Sequence, residues 1–285
     1  MASQNCTTAI ESVYKYLEQE VAGKPYLAHA KNILQKKRDK NTSNLDDIAA
    51  EYAKYLKAND IHGAEHDIVA QRVTALNQYY NFIHTKQYDN IYSPQSKFRP
   101  TILEEFIALL FRDLVNGFNL PLHFGQTKAY ANLYFVGEKL ETFAKSPSIK
   151  LNTKDQDFAI YRDIAIGVGD GGPVKANLPI VAAECKTYVD KTMFENAVAT
   201  AEKIKLGNPY SFFCIVTESY DISKDVDPAY TRVDQIYVLR KNQRKSQWRD
   251  IDGDVVLSLV NDVKHHLERP WADVLKKLSD TGRLI

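Results

Sequence analysis

The sequence predicts an α/β (α+β) fold, a mixed β-sheet flanked by helices and preceded by a helical N-terminal domain. Three observations lead there. Up to about residue 90, apolar residues recur at intervals of three and four, the period of amphipathic helices. After about residue 100, runs rich in β-branched and aromatic residues alternate with helical stretches. Between the two lies Tyr92-Ser-Pro94-Gln-Ser-Lys97-Phe-Arg99-Pro100, which breaks helical periodicity. The expected division is a helical domain over 1–92 and a second domain over 93–285.

Taken in order, Ile10, Val13, Tyr14, Leu17 and Val21 form the stripe of a first helix. Pro25 opens a second, with Leu27, Ala30, Ile33 and Leu34 on one face. Asn44 is a suitable N-cap for a third, which carries Leu45, Ile48, Tyr52 and Leu56. A fourth runs from about Ala64 to His84. Thr101 caps a fifth helix to about Val115, which includes Glu104-Glu105. Strands are expected at Ala129–Val136, Phe158–Val168, Leu178–Tyr188, Tyr210–Thr217 and Gln235–Leu239. Helices are expected at Lys191–Lys205 and Asp254–Leu267.

Composition narrows the class. The chain has 285 residues, 37 Lys plus Arg against 36 Asp plus Glu, and a formal net charge of +1. That balance argues against a histone-like binder of anything acidic, but it leaves room for a local basic cleft. The three cysteines show no CxxC spacing and cannot make a disulfide framework. No apolar run approaches the roughly 20 residues of a membrane span. The first residues lack a basic start followed by an apolar stretch. A reducing bacterial cytoplasm is the expected location, with no membrane partner.

Several motifs have chemical spacing but unsuitable surroundings. Gly167-Val-Gly169-Asp-Gly171-Gly172 matches G-x-G-x-x-G, yet a strand and not a helix follows it, so it reads as a hairpin turn. His62-Gly-Ala-Glu65-His66 matches an inverted zinc-protease spacing, but Gly63 breaks a helix there and no third ligand is near in sequence. Asp250, Asp252 and Asp254 read as the acidic first turn of the last long helix, and His265-His266 as cations at its end.

One constellation sits on apolar strands. The first strand opens Lys154-Asp155-Gln156-Asp157-Phe158, and the second contains Val181-Ala-Ala-Glu184-Cys185-Lys186. Residues two apart share a strand face, so Glu184 and Lys186 point the same way. Ionised groups at the end of a buried strand need partners, water or a metal. If the two segments are adjacent antiparallel strands, Asp157 comes beside Glu184. Two carboxylates and the Cys185 backbone carbonyl then offer oxygen ligands to a hard cation such as Mg2+. Lys186 would reach an attacking water or a phosphate.

Asp157 followed after 27 residues by Glu184-Cys185-Lys186 resembles the PD-(D/E)XK nuclease superfamily, the fold of most Type II restriction endonucleases. A preceding helix with Glu104-Glu105 and the following helix and strand fit the same order. Gln156 replaces the usual proline, which leaves Asp155 and Asp163 as rivals for the first carboxylate; Asp157 is preferred because the apolar body of the strand begins right after it. The helical N-terminal part and the segment Lys97-Phe-Arg-Pro-Thr-Ile-Leu-Glu-Glu-Phe resemble subunits of heterodimeric enzymes of the BbvCI kind. The resemblance implies a restriction-endonuclease-like core. It also implies Mg2+-dependent, sequence-specific hydrolysis of double-stranded DNA leaving 5′-phosphate ends. Asp157, Glu184 and Lys186 would be catalytic. Asp157, Glu184, the Cys185 carbonyl and Glu105 would hold the metal, with the choice between Glu104 and Glu105 as the one near the site left open.

Phosphate contact needs Lys and Arg. Arg240-Lys241-Asn-Gln-Arg244-Lys245-Ser-Gln-Trp248-Arg249 is a basic loop without acids, and Lys97 and Arg99 precede the acidic helix. The expected DNA contacts are therefore Lys97, Arg99, Arg240, Lys241, Arg244 and Lys245. The helix with Lys191, Lys203 and Lys205 could lie along the phosphates. Cutting both strands calls for a second nuclease subunit, a distinct chain for an asymmetric target or a second copy for a palindrome. The alternative readings are a repair or recombination nuclease on the same core, and a non-catalytic DNA-binding protein.

Overall fold

Four helices open the chain: α1 (Ala2–Gly23), α2 (Ala28–Arg38), α3 (Leu45–Ala58) and α4 (His66–Ile83). The computed structural model describes residues 2–39, 44–85, 88, 98–167, 172–223, 226–244, 246–269 and 274–283. The helix starts differ from expectation in detail. Pro25 lies in a turn closed by Leu27 N–H donating to Lys24 O (3.1 Å), so α2 begins only at Ala28. Asn44 does precede α3, but its backbone is left-handed (φ 58°) and its side chain makes no capping bond. Side-chain capping needs an extended backbone at that position.

Helix α5 (Pro100–Gly117) is apolar nearly all round and is the central rod of the fold. Thr101 falls inside its first turn, where Oγ1 donates to Phe98 O (2.9 Å). One side of α5 meets α2 and α4, and the other meets β1 (His123–Val136), β2 (Ser148–Ile166) and β3 (Val174–Asp190). A short helix α6 (Leu140–Lys145) joins β1 to β2. Helix α7 (Lys191–Gly207) crosses from β3 to β4 (Phe212–Asp221); then come β5 (Gln235–Val238), α8 (Gly253–Glu268) and α9 (Val274–Asp280).

The sheet is mixed, in the order β1-β2-β3-β4-β5. The first three strands run antiparallel, and β3, β4 and β5 run parallel. Helices α5 and α8 lie on one face and α7 on the other. A Cβ at Gly207 would stand 2.0 Å from Ala131 O, so α7 can end against β1 only as glycine. Strand β1 begins at His123 and not at Ala129, and β2 at Ser148 and not at Phe158. Their outer parts pair with each other through Leu133↔Leu151 and Phe135↔Ile149 as a ribbon beyond the sheet. The β1 half of this ribbon falls in an expected run, whereas the early part of β2, wet on both faces, has little apolar alternation to read.

One hydrophobic core runs from Leu17 in α1 through Phe106 in α5 to Phe158, Val181 and Val260. The helices before residue 92 thus share their core with the sheet. His266 lies buried against Phe212, with ring centroids 5.5 Å apart, and burial lowers its pKa to about 4. It is a neutral core residue and not the dipole-compensating cation expected.

Glu105 ties the helical layer to α5 and is fully buried. Its Oε1 accepts from Tyr52 Oη (2.6 Å), and its Oε2 from the backbone N–H of His29 (3.0 Å) and Ala30 (3.2 Å). With both oxygens committed inside the core, Glu105 is not the metal ligand expected from the sequence. Burial raises its pKa from 4.5 to about 7, against the opposing pull of those three hydrogen bonds. A carboxyl with a raised folded-state pKa keeps its proton where the unfolded chain has lost it. Its contribution is complete below about pH 4.5 and lost as the pH rises to about 7. His29 and His266, held neutral, titrate in the opposite sense, so a comparison with Glu105→Gln isolates the carboxyl. Relative to that variant, the wild type is expected to lose about 3 kcal/mol between these limits. Urea unfolding of both proteins at acid and neutral pH measures it. A constant difference would overturn the assignment.

Candidate active site

Strands β2 and β3 carry the acidic constellation. Their pairing ends at Phe158 and Ala183, and Asp157 and Glu184 are the next residue outward on each strand. Val181, Ala183 and Cys185 point to the α5 side, whereas Ala182 packs with α7. By alternation Glu184 and Lys186 share the α7 face. In β1 the pairing shifts from Gly125↔Ala159 to Thr127↔Gln156, so Asp157 and Phe158 together oppose Gln126. Such a bulge re-aims side chains and is frequent beside active sites.

The three side chains converge. Lys186 Nζ donates to Asp157 Oδ2 (2.8 Å) and to Glu184 Oε2 (2.8 Å). Cys185 N–H donates to the same Asp157 oxygen (2.9 Å). All three remain partly open to solvent, with side-chain exposures of 27%, 15% and 29% for Asp157, Glu184 and Lys186. Burial raises the Glu184 pKa, Lys186 pulls it down and the Asp157 charge raises it further; the net direction is up. Burial disfavours the Lys186 charge, but Asp157 and Glu184 outweigh it and hold the ammonium well above its ordinary value.

The rival carboxylates lie elsewhere. Asp155 is exposed and stands opposite Lys128 of β1. Asp163 is exposed, opposite Asn177, with His123 Nε2 3.4 Å away. Of the glutamate pair it is Glu104 that faces this end of the sheet. It accepts from Gln126 Nε2 (2.6 Å), and its charge, after burial and Asp157, helps push up the pKa of the Cys185 thiol. Gln156 is buried, and its Nε2 donates to Asp155 O (2.8 Å).

The donor set suits a hard divalent cation. Both carboxylates already converge on one positive group, the Lys186 ammonium. Among the described residues no cluster of three or more His, Cys, Asp or Glu side chains forms. Two carboxylates completed by backbone oxygen and water match Mg2+, which keeps several waters, better than the tetrahedral nitrogen and sulfur set of zinc.

The expected DNA contacts separate sharply. Lys97 and Lys245 lie outside the described residues. Arg99 is half-buried, with Nη1 3.5 Å from His84 Nδ1. Arg240 is not a DNA contact: it is 2% exposed, donates to Glu218 Oε2 from Nε (2.9 Å) and Nη2 (2.8 Å), and lies 3.6 Å over the Trp248 ring. Lys241 is exposed but pairs with Asp252 Oδ2 (2.6 Å), the residue that caps α8. Arg244 is exposed and stacks 3.4 Å over the ring of Tyr188. On α7, Lys205 is taken by Asp234 (2.6 Å).

Sequence reasoning missed Tyr188, although its place two residues after Lys186 was a usable signal. It also missed Glu218, whose partners Tyr80 and Arg240 come from distant parts of the chain.

A family model described as Bpu10I restriction endonuclease matches residues 95–252, which include all five strands, Asp157, Glu184 and Lys186. No curated protein matches the chain. Among solved structures, a chain of the native BbvCI A2B2 tetramer at low resolution superposes with a TM-score of 0.67. The superposition covers 86% of this chain and 98% of that one at 20% identity, a likeness of fold.

Proposed function

The chain belongs to the Bpu10I restriction endonuclease family, a group of site-specific deoxyribonucleases, and from that premise we propose that it hydrolyses double-stranded DNA with Asp157, Glu184 and Lys186 as its catalytic residues. The observation that carries this reading is the convergence of both carboxylates on Lys186 Nζ, 2.8 Å from each. Asp157 and Glu184, with the Cys185 carbonyl, would hold Mg2+. Bound there, the cation stabilises the negative charge that develops on the phosphoryl group. Lys186 orients the attacking water and faces the phosphate with its own charge. Glu104, bonded to Gln126, adds a carboxylate at the margin of the site.

One site cuts one strand, so a second nuclease subunit cuts the other. A distinct partner chain is favoured, because the similar solved structure is an A2B2 assembly. The proposed working division is a helical part over 1–92 that supports a nuclease part over 93–285. Among the described residues no helix is long and apolar enough to cross a membrane. Action in the bacterial cytoplasm fits a role against incoming DNA.

The test is digestion of long phage DNA, by the chain alone and with a candidate partner, with Mg2+ or with EDTA. Discrete fragments bearing 5′-phosphates, lost in EDTA, are expected. Smears or structure-dependent nicks would favour a repair nuclease. Binding without cleavage in Mg2+ or Mn2+ would favour a non-catalytic DNA-binding protein.

A further inference from the structure

The loop between β5 and α8 is pinned at its base. Arg240 is locked to Glu218, which also accepts from Tyr80 Oη of α4 (2.9 Å). Trp248 Nε1 donates to Asn81 Oδ1 (3.1 Å), and Ile251 exchanges two hydrogen bonds with Asn77 (2.8 and 2.9 Å). Between these anchors Lys241 turns the backbone through the left-handed region (φ 48°), and a tight turn closes with Ser246 N–H on Gln243 O (3.0 Å). Arg244 sits at the corner of that turn. The anchors on either side of it, Arg240 and Trp248, both reach helix α4.

Its contact is Tyr188, two residues beyond Lys186 on the same strand. Two residues along a strand span about 6.8 Å, so Tyr188 stands close to Lys186 along β3. A stacked guanidinium keeps its in-plane N–H donors available, and Arg binds phosphate bidentately. Among the described residues no acid or carbonyl takes those donors, whereas Arg240 and Lys241 have theirs committed to Glu218 and Asp252.

We propose that Arg244, laid flat on Tyr188, binds a DNA phosphate near the one attacked at Lys186, with Tyr188 as its positioning residue. This rests on the catalytic reading of Asp157, Glu184 and Lys186. Lys205, Arg240 and Lys241, by contrast, are committed to Asp234, Glu218 and Asp252.

Binding is measured by titrating a labelled mixed-sequence duplex into the Lys186→Ala protein at several salt concentrations, with the partner subunit present. Adding Arg244→Ala is expected to weaken binding by about tenfold or more and to reduce the log-log salt slope by about one. In otherwise wild-type protein Arg244→Ala raises KM for phage DNA with kcat largely kept. Tyr188→Leu acts in the same direction, and Tyr188→Phe, which keeps the ring face, restores binding. An unchanged salt slope for Arg244→Ala, or a Tyr188→Phe defect equal to that of Tyr188→Leu, would overturn the clamp. Normal cleavage by Lys186→Ala would instead overturn the catalytic reading, and the two failures are separately visible.

Discussion

Replacing Glu184 with alanine is expected to reduce DNA cleavage on the order of 10³-fold or more while the protein stays folded. Glu184 supplies one of two carboxylates that meet on Lys186. Metal-assisted charge stabilisation in phosphoryl transfer amounts to several kcal/mol, and each 1.36 kcal/mol is about a factor of ten in rate. Stability should change little, because Lys186 keeps its bond to Asp157 (2.8 Å) and the Glu184 side chain touches solvent. Glu184→Gln is the sharper companion: it keeps the shape and the hydrogen bond but offers no anion, so it should be nearly as inactive. The measurement is fragment formation from phage DNA in Mg2+, with thermal unfolding as the control for folding. Undiminished cleavage by either variant would remove Glu184 from the active site. The same pair of measurements on Asp155→Ala and Asp163→Ala should leave cleavage intact, because neither carboxylate approaches Lys186.

What could be read beforehand depended on whether local pattern or tertiary geometry set each feature. Asp157 and Glu184 were legible as a pair because both stand where an apolar strand turns polar, and a glycine-rich connection makes the strands antiparallel neighbours. Glu104 and Glu105 were not separable. About 100° of helix rotation divides adjacent residues, and a helix apolar on all sides gives no polar face from which to decide which glutamate turns inward. The fold turned Glu105 into the core, onto Tyr52 and two backbone amides, and left Glu104 near Gln126 at the site. The start of β2 was hidden for a different reason, since a ribbon solvated on both faces has little hydrophobic period. Arg240 and Arg244 also looked alike, two arginines in one basic loop. Their difference comes from Glu218, Tyr80 and Tyr188, which reach the loop only in three dimensions.

Arg240→Ala separates these last two roles with a large effect of its own. The guanidinium donates twice to Glu218 and lies between the rings of Trp248 (3.6 Å) and Tyr80 (5.0 Å). Its removal leaves the Glu218 carboxylate buried with only the Tyr80 hydroxyl among its side-chain donors. Breaking a buried pair from one side costs about 3–5 kcal/mol, which for a chain of this size lowers Tm on the order of 10 °C. Removing both charges together, as Arg240→Met with Glu218→Leu, deletes the stranded carboxylate as well. That double variant should recover most of the loss, since a buried ion pair and a well-packed apolar pair are often of similar worth. A phosphate contact would behave in the opposite way: Tm unchanged, salt slope of DNA binding lowered by about one, and no recovery from a change at Glu218. Thermal unfolding of the two single variants and the double variant, without DNA, therefore decides whether the first arginine of the loop holds the protein or its substrate. An additive double variant, or an Arg240→Ala protein as stable as the wild type, would return Arg240 to the DNA-binding surface and remove the rigid base on which the placement of Arg244 depends.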